Sequence, residues 1–178
     1  VRTVGERAVY AWPAFSPDGK RLAVVKRDEI TRYNDIWVFD LSTGASTRTT
    51  SDPANEGGLV WSPDGSQIVY ASSPSGSVSS FGLYRRAANG AGNAELLYQD
   101  SFPDPGGLFA TDWSPDGRFL TFHSPAPGRH SVLPHLYVLP LNADGPAASR
   151  KAIEVFASQL HAGAGVGIDW FAGAQIVD

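Results

Sequence analysis

Short stretches of alternating apolar residues follow clusters of proline, aspartate and glycine along this chain. Residues 22–25, 68–71 and 119–122 each come shortly after a Ser-Pro-Asp-Gly tetrapeptide. Alternation with a period of two is typical of β-strands. Proline presets the backbone of a turn, aspartate bonds nearby backbone N–H groups, and glycine accepts a positive φ. The pattern therefore predicts hairpins, in which each tetrapeptide joins two strands.

The hairpins belong to a longer repeat. An aromatic residue followed by Ser-Pro-Asp-Gly occurs at Phe15, Trp61 and Trp113, so the copies are 46 and 52 residues apart. A third apolar strand follows each hairpin, and a fourth is expected near 45–50, 94–99 and 149–156. Four antiparallel strands in a repeat of this length are typical of a β-propeller blade. We predict an all-β propeller fold with three complete blades, at about 12–50, 58–99 and 109–156.

Both ends of the chain carry weaker copies of the pattern. Residues 167–177 align with 58–69 around Trp170, with one deletion in the turn, which predicts a degraded fourth blade at 166–178. Residues 2–5 resemble the end of the first complete blade and predict the outer strand of a preceding one. Residues 1–178 are thus expected to form a single partial propeller.

Partial end blades would expose apolar faces, which soluble monomers avoid. Two chains of this content would supply roughly seven to eight blades, within the range of closed propellers. We expect self-association, as a homo-oligomer and most simply a dimer. The alternative is that the chain is a fragment of a longer propeller.

The motifs closely resemble the WD40-like β-propeller repeats of the TolB type. Their signature is an aromatic residue, Ser-Pro-Asp-Gly, a strand, and later Asp-Ile-Tyr/Trp-Val, which residues 35–38 match. The resemblance extends from about residue 12 to 156, and residues 34–44 look most like propellers that follow a kinase or DNA-binding domain in bacterial proteins. It implies a recognition role and no catalytic residues. It also implies a C-terminal module of a larger bacterial protein, either periplasmic or cytoplasmic.

Charge and composition restrict the partners. The 178 residues include 14 basic and 18 acidic side chains, for a net charge of −4 and no basic stripe. A nucleic-acid backbone is therefore not an expected partner. No run of about 18 apolar residues is present, so no membrane span is predicted. The absence of cysteine excludes disulfides and thiol catalysis.

The residues that recur in every repeat are interpreted as structural. Asp18, Asp64 and Asp116 occupy the same position of the same turn, so turn capping is favoured over metal binding. The motif aromatics are expected to pack between blades. A stacking platform for a ligand is the alternative for these rings.

The long connections between the second and third strands should gather on one face of the propeller. Binding residues often lie on loops that a rigid scaffold presents. The candidate ligand-binding side chains are Arg27, Arg32, Tyr33, Phe81, Arg129 and His130. Solvated loops without a ligand are the alternative.

Two further acids break the repeat pattern. Asp112 and Asp169 precede the motif aromatic where the first two repeats have Ala14 and Val60. First strands line the propeller axis, so these carboxylates are candidate metal ligands in the central channel, with calcium as the candidate ion. The alternative is a solvated or hydrogen-bonded lining without a cofactor.

Two functions follow from these observations. The leading hypothesis is a non-catalytic recognition or assembly module that binds a protein, a peptide or a small ligand on one propeller face. The alternative is a metal-dependent hydrolase of the propeller-lactonase kind, in which a channel cation polarises a carbonyl.

Overall fold

The computed structural model describes residues 3–74, 81–100, 107–125, 134–142 and 150–156, which form twelve β-strands and no helix. Within these ranges there is consequently no helix long and apolar enough to cross a membrane. The prediction of an all-β partial propeller is confirmed. The strands are β1 (Tyr10–Phe15), β2 (Arg21–Arg27), β3 (Asn34–Asp40), β4 (Ser46–Arg48), β5 (Ala54–Trp61), β6 (Gln67–Pro74), β7 (Phe81–Ala87), β8 (Glu95–Asp100), β9 (Phe109–Trp113), β10 (Phe119–Pro125), β11 (Pro134–Pro140) and β12 (Ile153–Phe156).

The strands pair in consecutive antiparallel groups of four. We call β1–β4 the first blade, β5–β8 the second and β9–β12 the third. A single parallel bridge, between Asn34 and Asn55, joins the first blade to the second. The innermost strands lie next to each other, with β5 against both β1 and β9.

The three Ser-Pro-Asp-Gly turns share one set of hydrogen bonds. The motif serine donates to the motif aspartate at 2.6 Å in the first two blades and 2.7 Å in the third. Each aspartate also accepts the backbone N–H two residues later. The motif glycines have φ values of 68°, 68° and 75°, which L-residues rarely adopt. These bonds lower the pKa of the motif aspartates, to about 2 for Asp64 and Asp116, as expected of turn caps.

Apolar side chains fill the two junctions between blades. Trp61 is buried against the first blade, where its Nε1 donates to the Ala14 carbonyl at 3.0 Å and Arg21 lies over its ring. Trp113 is buried in the junction between the second and third blades. Packing between blades is thus confirmed for these two motif aromatics. Leu83, Leu97, Leu120, Phe122 and Leu139 complete the second junction and are fully buried.

The first blade differs on the face that would meet a preceding blade, which we call its leading face. Phe15 stands there and is 67% exposed, whereas its counterparts Trp61 and Trp113 are 7% and 8% exposed. Residues 3–5, which belong to the predicted outer strand of a preceding blade, form no strand in the structure. Gly5 instead lies against the rings of Phe39 and Tyr10, and Glu6 pairs with Lys26. The degraded fourth blade at 166–178 lies outside the described residues.

Candidate functional site

The inner strands of the first two blades carry the same irregularity. In β1 the pairing with β2 passes from Ala11 directly to Ala14, and in β5 the pairing with β6 passes from Gly57 to Val60. Two residues of each inner strand therefore stand opposite one residue of the neighbouring strand, which is a β-bulge. Trp12 in the first blade is the counterpart of Gly58 in the second.

The two bulges share a backbone conformation that suits glycine. Gly58 has a φ of 50° and Trp12 a φ of 51°. A bulky residue with positive φ is an outlier that costs free energy and persists where the surroundings impose it. The bulge in β1 thus holds an indole ring at a position where the equivalent strand has no side chain.

The Trp12 ring stacks on Phe109 of the third blade. The ring centroids are 5.3 Å apart and the planes meet at 20°. Gly58 permits the close approach of Phe109, because a Cβ on Gly58 would lie 2.9 Å from the Phe109 Cα. Trp12 nevertheless remains 49% exposed. We call the Trp12 and Phe109 rings, with Gly57 and Gly58 beside them, the aromatic platform.

Phe81, a predicted ligand-binding residue, lies beside this platform. A Cβ on Gly107 would lie 3.5 Å from the Phe81 ring and 3.4 Å from the Phe109 ring, so Gly107 separates the two. Phe81 is half-buried and packs partly against the junction of the second and third blades. The structure therefore brings Phe81 near Phe109, an aromatic residue of the platform that sequence analysis did not select.

Arg27, Arg32 and Tyr33 lie at the turn between β2 and β3. The Asp28 carboxylate organises this turn by accepting the N–H groups of Ile30 and Thr31 at 2.9 and 2.7 Å, which lowers the pKa of Asp28. Arg27 and Arg32 are exposed and Tyr33 is half-buried. The start of β1 pairs with the end of β2, so this turn lies at the same end of the blade as the platform.

The remaining candidates are only partly described. Arg129, His130 and Asp169 lie outside the described residues. Asp112 is half-buried in β9, opposite Thr121, and its carboxylate accepts the Trp113 N–H at 2.9 Å. Groups of three or more His, Cys, Asp or Glu side chains that could hold a metal are absent from the described ranges. A calcium ion at Asp112 and Asp169 remains a prediction.

A buried acid that sequence analysis missed lies next to the platform. Glu56 immediately precedes Gly57 and is only 4% exposed. Burial, with a smaller contribution from Asp35, raises the pKa of Glu56 to about 8. Alignment of the repeats contains the signal, since Glu56 is five residues before Trp61 and the equivalent residue before Trp113 is Leu108.

The stacked blades, bulged inner strands and capped turns define a β-propeller repeat protein. The TolB β-propeller domain family matches residues 3–136, so the chain belongs to that family.

Curated relatives share part of the sequence. The chain is 31% identical over 112 residues to the uncharacterized peptidase YuxL of Bacillus subtilis, covering 61% of the chain and 16% of YuxL. It is also 31% identical over 117 residues to the uncharacterized protein Atu1656 of Agrobacterium fabrum, covering 64% of the chain and 35% of that protein. The chain therefore spans between about a sixth and about a third of these relatives.

Solved structures agree on the fold. The putative TolB of Agrobacterium tumefaciens superposes with a TM-score of 0.66 at 20% identity, over 85% of the chain and 52% of that protein. The TolB of Acinetobacter baumannii superposes with a TM-score of 0.63 at 24% identity, over 85% of the chain and 33% of that protein.

Proposed function

We propose that this chain is a non-catalytic recognition module that binds a peptide segment of a partner protein at the aromatic platform. The observation that carries the proposal is the backbone of Trp12, which holds a half-exposed indole in a conformation that the equivalent strand reserves for glycine. Strained residues of this kind cluster at functional sites, where the scaffold sustains the strain. A flat apolar side chain, such as proline or an aromatic residue, suits stacking on these rings.

The surroundings of the platform favour binding over catalysis. The recurring aspartates are engaged in their turns, where ionised carboxylates accept serine and backbone donors. Arg27 and Arg32 are exposed at the same end of the first blade and could pair with acidic groups that flank a stacked side chain. Peptidase is part of the name of YuxL, but the chain spans only 16% of that protein.

A displayed peptide library tests this proposal. Peptides enriched on the wild-type chain should contain flat apolar residues, and Trp12→Ala should weaken their binding by roughly tenfold, since exposed aromatic anchors typically contribute at least that much. Val155→Ala is the matched control, because Val155 is 56% exposed on the outer strand β12. Peptides that bind Trp12→Ala as tightly as wild type, with the fold intact by circular dichroism, would contradict the proposal.

We also propose that the module completes its ring by packing a second copy against the leading face. Phe15 is 67% exposed there, whereas the two internal junctions bury the residues that correspond to Phe15. Burial of such a face in each copy can exceed about 1,000 Å², the usual size of a specific interface.

Light scattering at micromolar concentration measures this association directly. We expect a mass of at least twice the 19.0 kDa of one chain, which Phe15→Glu should reduce to that of the monomer. Ile30→Glu, at a 93% exposed turn residue, is the control. A monomeric wild-type chain would exclude self-association and leave the peptide-binding proposal intact.

A further inference from the structure

Glu56 occupies a position that is apolar in the third blade. It faces Ser72 in the pairing of β5 with β6 and lies five residues before the motif aromatic of its blade. Leu108 lies five residues before Trp113 and is 1% exposed, so the third blade uses this position for core packing. A carboxyl group at such a position lowers stability when it is ionised. Packing alone therefore does not explain why a glutamate occupies position 56.

Hydrogen bonds around Glu56 connect the first two blades. The Ile36 N–H of β3 donates to the Thr50 hydroxyl at 2.8 Å, and this hydroxyl donates to Glu56 Oε2 at 3.2 Å. The Ser72 hydroxyl donates to Glu56 Oε1 at 3.4 Å. The bridge between Asn34 and Asn55 lies beside this chain of bonds. Glu56 thus sits where the first blade is joined to the second.

The charges near Glu56 oppose its ionisation. Asp35 of β3 and Asp52 of the connection after β4 both raise the pKa of Glu56. The nearby cations have other partners: Arg48 of β4 pairs with Asp35 at 2.6 Å, and Arg86 of β7 lies 3.9 Å from Asp52. Tyr70 of β6 is a buried neutral phenol whose own pKa is raised. Among the described residues, no cation forms an ion pair with Glu56.

One further feature increases the negative charge around this junction. Asp35 is 1% exposed, and its Oδ1 has no hydrogen-bond partner while its Oδ2 accepts from Arg48. Ionisation of Glu56 would add a second buried carboxylate to a region that already holds one under-satisfied acid. Close carboxylates that are both ionised repel each other.

We propose that Glu56 is a proton-dependent latch between the first and second blades. With the carboxyl protonated, its carbonyl oxygen accepts from one of the Thr50 and Ser72 hydroxyls and its O–H donates to the other, and the two blades stay packed. Loss of the proton favours an opened junction in which water reaches the carboxylate. Because Glu56 directly precedes Gly57 and Gly58, opening also frees the bulge that supports the aromatic platform.

The direction of the pH dependence follows from the two states. The pKa of Glu56 is about 8 in the packed junction and close to the ordinary 4.5 once the side chain is hydrated. The packed state therefore holds the proton more tightly and is fully favoured below about pH 4.5. Between about pH 5 and 7.5 the opening equilibrium should rise about tenfold for each pH unit, and it should level off above pH 8.

Native-state hydrogen exchange of the full chain tests the latch. The Ile36 amide donates to the Thr50 hydroxyl that bonds Glu56, and the Thr49 amide donates to the Ile36 carbonyl, so both amides report on the first-blade side of the junction. After correction for the intrinsic rate, their opening should increase about tenfold per pH unit in wild type and stay constant in Glu56→Gln. The Ser114 amide, in the turn of the third blade, is the internal control, and Glu95→Gln is the control for loss of an exposed acid.

Two results would overturn the proposal. One is an opening equilibrium at Ile36 and Thr49 that does not change with pH, and the other is the same pH dependence in Glu56→Gln. Glu56→Leu, which copies the third blade, replaces Glu56→Gln where the amide variant does not fold. Carboxyl-carbon NMR of the wild-type chain is independent of any variant: a Glu56 midpoint above pH 7 supports the latch, and a midpoint near 4.5 excludes it.

Discussion

Replacing Trp12 by glycine and by alanine separates the strain in the β1 bulge from the contacts of the indole ring. Both variants remove the stack on Phe109, which is worth about 0.5–1.5 kcal/mol. Both also lose the burial of about half of the side chain, an area of roughly 100 Å² worth at most about 2.5 kcal/mol. We therefore expect both variants to be less stable than wild type by about 2–4 kcal/mol.

The difference between the two variants is the informative quantity. At a φ of 51°, alanine retains the steric penalty of a Cβ atom, about 1–2 kcal/mol, and glycine does not. Glycine has a more flexible unfolded state, which offsets about 0.4–1 kcal/mol of that gain. Trp12→Gly should consequently be more stable than Trp12→Ala by about 1 kcal/mol.

Urea denaturation followed by tryptophan fluorescence measures the free energies of unfolding of wild type, Trp12→Ala and Trp12→Gly, which can be compared when the three proteins have the same dependence on urea concentration. Ala11→Gly is the matched control: Ala11 precedes the bulge in the same strand and is not among the positive-φ residues, so glycine there should destabilise by about 0.5–1 kcal/mol. If Trp12→Ala is as stable as Trp12→Gly, or more stable, then the backbone of Trp12 is not strained and the argument for the platform fails.

Asp64→Ala should lower the melting temperature by a few degrees without changing peptide binding. An acid titration of the free energy of unfolding should show that Asp64 and Asp116 stabilise the fold above pH 3.8 and lose this effect as the pH falls towards about 2. Trp61→Phe should destabilise the first junction by about 1 kcal/mol in urea denaturation, because the Ala14 carbonyl loses its indole donor; a variant as stable as wild type would show that this hydrogen bond contributes nothing. On the channel-cation hypothesis, equilibrium dialysis should detect one calcium ion per chain in wild type and none in Asp112→Asn, whereas a wild-type chain without bound calcium would refute that hypothesis.

The repeated turn could be identified from sequence because its determinants are local. Proline, aspartate and glycine impose their conformations within a few residues, and Ser62 and Asp64 bond each other across two positions. The period of the repeat then specified four strands per blade, and burial of Trp61 and Trp113 between blades followed from the stacking of repeats. Local turn chemistry and the period of the repeat therefore account for most of the fold.

The candidate site was harder to predict because its parts come from different blades. The sequence places Phe81 on a candidate binding loop, but Trp12 and Phe109 are 97 positions apart in the chain and meet only in the folded propeller. The bulge in β1 leaves no signature in sequence, since Trp12 occupies a conformation that usually signals glycine. Residues 2–5 are expected from sequence to be the outer strand of a preceding blade, but residues 3–5 form no strand in the structure, and their likeness to the end of the first blade gives no indication that Gly5 packs against Phe39.

By itself, the sequence determined the class of fold, the strand order and the turn chemistry, all of which depend on interactions between near neighbours in the chain. Only the tertiary structure decided which residues at aligned positions of the repeat are buried. Phe15 is exposed although its counterpart Trp61 is buried, and Glu56 is buried although a carboxyl group is more stable in water. The physical reason is that exposure and the cost of a charge depend on which blade packs against a residue. Packing partners of that kind are contributed by residues that are distant in the chain.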